Sequence, residues 1–275
     1  MKLMIEASLI AATKYSLLGL VGLASVSFFS IVNAPVASAL DAKQTEELIA
    51  LVDDRQRNTG DYASTVFIDQ KEKDGTSKAF EARDYRRDAD DKWMILFTKP
   101  KAEAGKGYLR IEKNLFLYEP ALGKWERQTE RASIAGTNSR RDDFDESRLA
   151  EEFTAQFIAD ETLGKYKVHR VKLTAKPGVD VANPIVELWI DQDSKNILKR
   201  QESALSGKLL RTSYYPAWDK MFSKSKNQDV YVPKEIRVFD EVEKGNSTVV
   251  ALRDVKLDSL QANMFTKAWL ETQSR

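Results

Sequence analysis

From residue 64 to residue 256 the chain is a succession of short extended runs, apolar at every second position and separated by turn residues, and few folds accept that pattern. The runs fall at 64–70, 76–87, 92–98, 107–112, 115–119 and 124–130, then at 154–162, 165–174, 185–191, 197–204, 208–215, 230–239 and 247–256. Four of the connections among the first six, at Asp74 and Gly75, residues 88–91, Lys113 and Asn114, and residues 120–123, are hairpin-type turns. Connections this short force antiparallel neighbours, because a parallel pair needs a crossover of a dozen or more residues. Residues 177–184 and 216–229 read as longer loops. Roughly a dozen strands are too many for a flat sheet, so the sheet must bend, open or nearly closed.

Two segments break the alternation before the end. Residues 41–57 place Leu48, Ile49 and Val52 on one helical stripe, which predicts an amphipathic helix ended by Asn58, Thr59 and Gly60. Residues 132–152 are polar and glycine-containing, with a brief helix expected over 145–152 bearing Leu149, just after Phe144; they should lie across the sheet. A loop and a last short helix close the chain with Phe265, Trp269 and Leu270. The run 92–98 puts Trp93, Ile95 and Phe97 on one face and Met94 and Leu96 on the other, so both faces need a cover. The first helix and residues 132–152 are the covers this reading supplies.

The first thirty-nine residues read as an export signal, with Lys2 and Lys14, an apolar run at 17–32 and the small residues Ala37, Ser38 and Ala39. The run is shorter than the roughly 20 residues that span a bilayer, so cleavage after Ala39 is expected, leaving residues 40–275 as one domain. With no cysteine there is neither a lipidation site nor a disulfide. A free, soluble, exported protein, a monomer, is the expected product. Its near-neutral charge argues against nucleic acid, which needs a concentrated basic face. Arg86 and Arg87, and Arg140 and Arg141, have aspartates for neighbours and read as solvated surface charge.

Catalytic patterns are thin. The single histidine, His169, lies in a strand-like run with no Gly-x-Ser-x-Gly elbow. One histidine without cysteine is a poor zinc set, and Gly105, Lys106 and Gly107 lack the rest of a dinucleotide fingerprint. No catalytic residue, metal or cofactor is assigned. A carboxylate pair of the glycosidase kind stays open, since its separation is three-dimensional.

The middle of the chain carries a more specific pattern: Phe97-Thr98-Lys99-Pro100, Gly105 through Ile111, Asn114-Leu115-Phe116-Leu117-Tyr118-Glu119-Pro120, and Lys124-Trp125-Glu126-Arg127, continuing through Gly136 to Asp143-Phe144. It resembles the outer-membrane lipoprotein-sorting (LolA-like) family along nearly the whole chain. Phe116 stands where that family has tryptophan, and Arg148 precedes Leu149 where an aspartate is common. The resemblance implies an unclosed barrel of about eleven antiparallel strands with helices over the concave side. It also implies carriage of lipid or lipoprotein acyl chains across the periplasm, in service of an inner-membrane lipid exporter.

On that reading the fold is mainly β, a single strongly curved antiparallel sheet whose concave face is covered by helices. Acyl chains would lie in an apolar cavity lined by Phe67, Phe80, Trp93, Ile95, Phe97, Leu109, Ile111, Leu115, Leu117, Trp125 and Leu188. Leu48, Val52, Phe144 and Leu149 would form the lid. Burial of about 0.8 kcal/mol per methylene would drive binding without a polar motif. Two rivals remain: a sensor or accessory subunit docking an inner-membrane protein on the same scaffold without lipid, and an enzyme on a curved sheet.

Overall fold

A computed structural model of the chain describes residues 39–111, 114–129 and 132–274. The expected export signal lies, but for Ala39, outside these residues. Residues from Ala39 onward form one compact unit.

Helix α1, Ala42–Gln56, starts where Asp41 can cap it: its Oδ1 accepts from Gln44 N at 2.8 Å, and Gln44 Oε1 accepts from Asp41 N at 2.9 Å. This reciprocal box satisfies two amides that the first turn leaves without helical partners. Leu48, Ile49 and Val52 make its buried stripe, as the spacing predicts. Thirteen strands follow in one antiparallel sheet: β1 Asp61–Lys71, β2 Ser77–Arg87, β3 Lys92–Lys99, β4 Gly107–Ile111, β5 Asn114–Glu119, β6 Lys124–Gln128, β7 Phe153–Leu163, β8 Tyr166–Ala175, β9 Ile185–Asp191, β10 Ile197–Ser203, β11 Leu209–Ser223, β12 Gln228–Asp240 and β13 Ser247–Lys256.

The spatial order is β6-β5-β4-β3-β2-β1-β13-β12-β11-β10-β9-β8-β7, so two meanders join where the first strand pairs with the last. The edges β6 and β7 are consecutive in sequence, and the segment between them must travel from one edge to the other. That segment holds 3₁₀ turns at Ile134–Gly136 and Arg141–Asp143 and the short helix α2, Leu149–Glu152. The strand count exceeds the eleven implied by resemblance. The loop expected at 216–229 is largely strand, because the ladder breaks register between Tyr214 and Ala217 and Pro216 sits in that irregularity, where no ladder N–H is required.

Curvature follows from two ion pairs. Arg110 on β4 reaches Asp145, and Arg211 on β11 reaches Asp143. These strands are six places apart in the sheet, about 29 Å if it were flat at ~4.8 Å per strand. Two carboxylates two residues apart can meet both arginines only if the sheet curls.

The inner face carries one continuous core, including Val52, Trp93, Ile95, Phe97, Leu115, Leu188 and Val250. The outer face of β3 and β4 has its own: Met94 and Leu109 against Met264, Phe265 and Leu270. Its cover is the C-terminal tail with helix α3, Lys267–Gln273, rather than α1 or residues 132–152. Gly107 makes that contact possible, since a Cβ there would stand 2.8 Å from Leu270 Cδ1 and 3.0 Å from the Ile95 carbonyl.

Candidate functional site: a lidded cavity in the curled sheet

Alternation along β2 to β4 sets which side chains enter the bowl. Trp93 stands opposite Arg86 on one side and Arg110 on the other, so Asp84, Arg86 and Arg110 share its face. Glu202 and Arg211 stand opposite each other on β10 and β11 and meet there by an ion pair. The inner face is therefore a mixture of aromatic and ionised groups.

Over it lies the segment after residue 139. Phe144 stacks on Trp93 with centroids 5.9 Å apart and planes at 29°, and Arg86 Nη1 donates to the Phe144 carbonyl at 3.0 Å. Asp145 receives Arg110 at 3.3 Å and Arg141 at 2.9 Å. Arg148 pairs with Asp91 at 2.9 Å and Glu146 at 2.8 Å, which gives a use to the basic residue before Leu149. Asp53 of α1 accepts from Ser147 Oγ and from Ala150 N, the latter at 2.6 Å, so the helix and the segment are tied together.

Several carboxyl groups here are shifted from their ordinary values. Burial pushes Asp84 up to about 7, against the pull of Arg86 and of the Trp93 Nε1 that donates to it at 2.6 Å. Burial likewise raises Asp145, Asp88 and Asp53. Glu202 is as deeply buried, yet Arg200 and Arg211 hold it below the usual carboxylate range. Depth and local cations together set the direction of each shift.

Beside Phe144 a cavity of about 180 Å³ remains. Its apolar wall comes from Tyr62, Phe153, Ile197, Tyr215, Trp218, Ile236 and Leu252, and its polar wall from Asp84, Arg86, Arg110, Arg141, Asp143 and Asp145. Tyr215 and Trp218 stack at 5.6 Å, and Trp218 Nε1 donates to the Ile197 carbonyl at 2.9 Å, which fixes the aromatic pair.

The residues expected to line a hollow divide three ways. Phe80, Trp93, Ile95, Phe97, Leu115 and Leu188 are on the inner face with Leu117 packed against them, but they fill that part of the bowl solidly and do not border the void. Leu109 belongs to the outer cluster, and Ile111 and Trp125 pack against it. Phe67 is 39% exposed on the outer side, because Val66 and Ile68 beside it both point inward. Phe144 and Leu149 border the cavity from the lid, whereas Leu48 and Val52 are core residues on the buried face of α1.

Sequence reasoning missed the charged wall. Arg86 and Arg141, read as solvated, have side chains only 12% and 16% exposed, and Arg87 pairs with Asp61 at 2.6 Å. The signal available was Asp143-Phe144-Asp145, an aromatic residue between two acids inside an otherwise polar stretch.

His169 Nδ1 lies 2.6 Å from Asp160 Oδ1, away from the residues around the cavity. Among the described residues no group of His, Cys, Asp and Glu is placed to hold a metal, and no helix is long and apolar enough to cross a membrane.

A family model described as "-like: Uncharacterized protein" matches residues 89–272. The chain belongs to that family. Its fold is the LolA-type open sheet. A domain assigned to outer-membrane lipoprotein sorting, from Vibrio parahaemolyticus, is 19% identical over 84% of this chain and 100% of its own, with a TM-score of 0.73. A LolA-superfamily protein from Nitrosomonas europaea is 19% identical over the same shares, with a TM-score of 0.69. A DUF1329-family protein from Desulfovibrio piger is 17% identical over 83% of this chain and 98% of its own, with a TM-score of 0.73. No curated protein sequence matches. In this LolA-type sheet the glycine-led strand of the resemblance is β4, and the Tyr-x-Pro motif closes β5.

Proposed function

We propose that the chain is a periplasmic carrier that shelters the acyl chains of a lipid or lipoprotein inside the bowl, making and breaking no bond. The observation that carries this is the cavity itself: an unfilled space between a curled sheet and a segment held down by ion pairs and hydrogen bonds. Opening it gives up the apolar contacts of Phe144 and Leu149 as well, and a bound acyl chain would take their place.

At about 180 Å³ the space is below the roughly 300–1,000 Å³ of a drug-sized ligand pocket, so this is the closed form. Loading requires α1 and residues 143–152 to move, and a ligand moves them only by binding the open form better. An inner-membrane lipid exporter is the natural donor.

Protein purified from periplasm without detergent, analysed by mass spectrometry under native conditions, should carry an acyl lipid at near one copy per chain. A lipid-free protein that also takes up nothing from vesicles, while retaining one membrane protein in stoichiometric amount, would replace the carrier by an accessory subunit.

A further inference from the structure

The three residues Asp143, Phe144 and Asp145 occupy the centre of the closed site in an unusual way. Phe144 provides an apolar body on Trp93. On either side of it a carboxylate faces an arginine from an opposite flank of the sheet, Arg211 for Asp143 and Arg110 for Asp145, and Arg86 donates to the carbonyl between them. An apolar body ending in acidic oxygens is also what a fatty acid or a phospholipid presents. The apolar wall made by Phe153, Ile197, Tyr215, Trp218, Ile236 and Leu252 adjoins these oxygens.

Opening the lid removes one carboxylate from each of Arg110 and Arg211. Arg110 keeps among others Asp91, at 2.6 Å, and Arg211 keeps among others Glu202, at 3.1 Å, which Arg200 shares. Taking an anion from a buried arginine is costly, and a cargo with an uncharged head leaves that cost standing. A cargo with an anionic head restores the lost interaction and so supplies the differential affinity that opening demands.

Resting on the carrier reading above, we infer that the site takes an acyl ligand with an anionic head, carboxylate or phosphate, and that Asp143, Phe144 and Asp145 stand in the head's place when the site is empty.

Calorimetric titration of the delipidated protein with oleate, oleamide and inorganic phosphate, the first two below their self-assembly concentrations, separates the possibilities. Oleate should bind at least about tenfold more tightly than oleamide, and phosphate, lacking the chain, much more weakly than oleate. Equal binding of oleate and oleamide would overturn the anionic head and leave the carrier standing. Binding of neither would overturn both. Phosphate as tight as oleate would reduce the site to an ion site and end the proposal. The double variant Asp143→Asn/Asp145→Asn, checked for folding by circular dichroism, removes the internal competitor and should gain affinity for oleate by about fivefold. Unchanged or weaker binding by the folded variant would overturn the stand-in; the three wild-type titrations decide the head chemistry whether or not the variant folds.

Discussion

Strand β3 is buried on both sides, and its two sides are built on different terms. Outward, Met94 meets Leu109, Met264, Phe265 and Leu270 in a wholly apolar cluster closed by α3. Inward, Trp93 meets Phe144 in a setting that also holds Asp84, Arg86 and Arg110 and borders a void. The outer side is what stability alone asks for. The inner side keeps charge and empty space where apolar filling would be at least as stable, which is expected of a surface that must open and accept something.

The largest effect should come from breaking the inner network. Arg211→Met leaves Glu202 and Asp143 buried without their shared cation, and urea denaturation should show a loss of about 3–5 kcal/mol. Adding Glu202→Gln and Asp143→Asn should recover most of it. A loss under 1 kcal/mol for Arg211→Met alone would mean that these charges are solvated and that the two sides of the sheet do not differ.

Next comes a dependence on pH. Asp84 keeps its proton up to about 7 in the folded chain, against an ordinary value of 3.8. Between those values the folded state binds more protons than the unfolded one, so its stability falls as pH rises and the loss is complete above about 7, amounting to about 4 kcal/mol at most. Asp84→Asn keeps an acceptor for Trp93 Nε1 and removes the charge. Relative to wild type the variant should therefore gain stability on going from pH 4.5 to pH 8, as read from melting temperatures at each. A difference that does not change with pH would show that water reaches this carboxylate.

On the outer side Leu270→Ala should cost about 3 kcal/mol, since Leu270 is fully buried in the tail cluster, and should leave acyl-chain binding as it was. If binding fell with stability, the two sides would be coupled rather than independent.

That contrast also explains what the sequence could and could not disclose. Turns and alternation are local, so the meanders, the first helix and the polar interruption after residue 131 were legible, and too many strands implied a curled sheet. Pro216 and the lysine- and serine-rich residues after it imitate a loop, because a register break in a long strand leaves no local sign. The outer cover was missed since Leu270 meets Leu109 only in the fold. Phe67, Val66 and Ile68 are all apolar, so parity could not choose the inward pair. The charged wall was the hardest to see: Arg86, Arg110 and Arg141 look like surface arginines until Asp145, distant in sequence from two of them, arrives between the strands.

The smallest effect tests whether α1 belongs to the moving side. Asp41→Ala removes the carboxylate that caps the helix and half of its reciprocal box with Gln44, at a cost of about 1 kcal/mol. Because Asp53 links α1 to Ser147 and Ala150, the loosening should pass to residues 147–152, and their amides should exchange hydrogen faster together with those of α1. The amides of α3, on the opposite side of the sheet, should keep their wild-type rates. Were α1 to loosen alone, with residues 147–152 unchanged, the helix and the segment would be separate covers, and opening the cavity would require moving only the second.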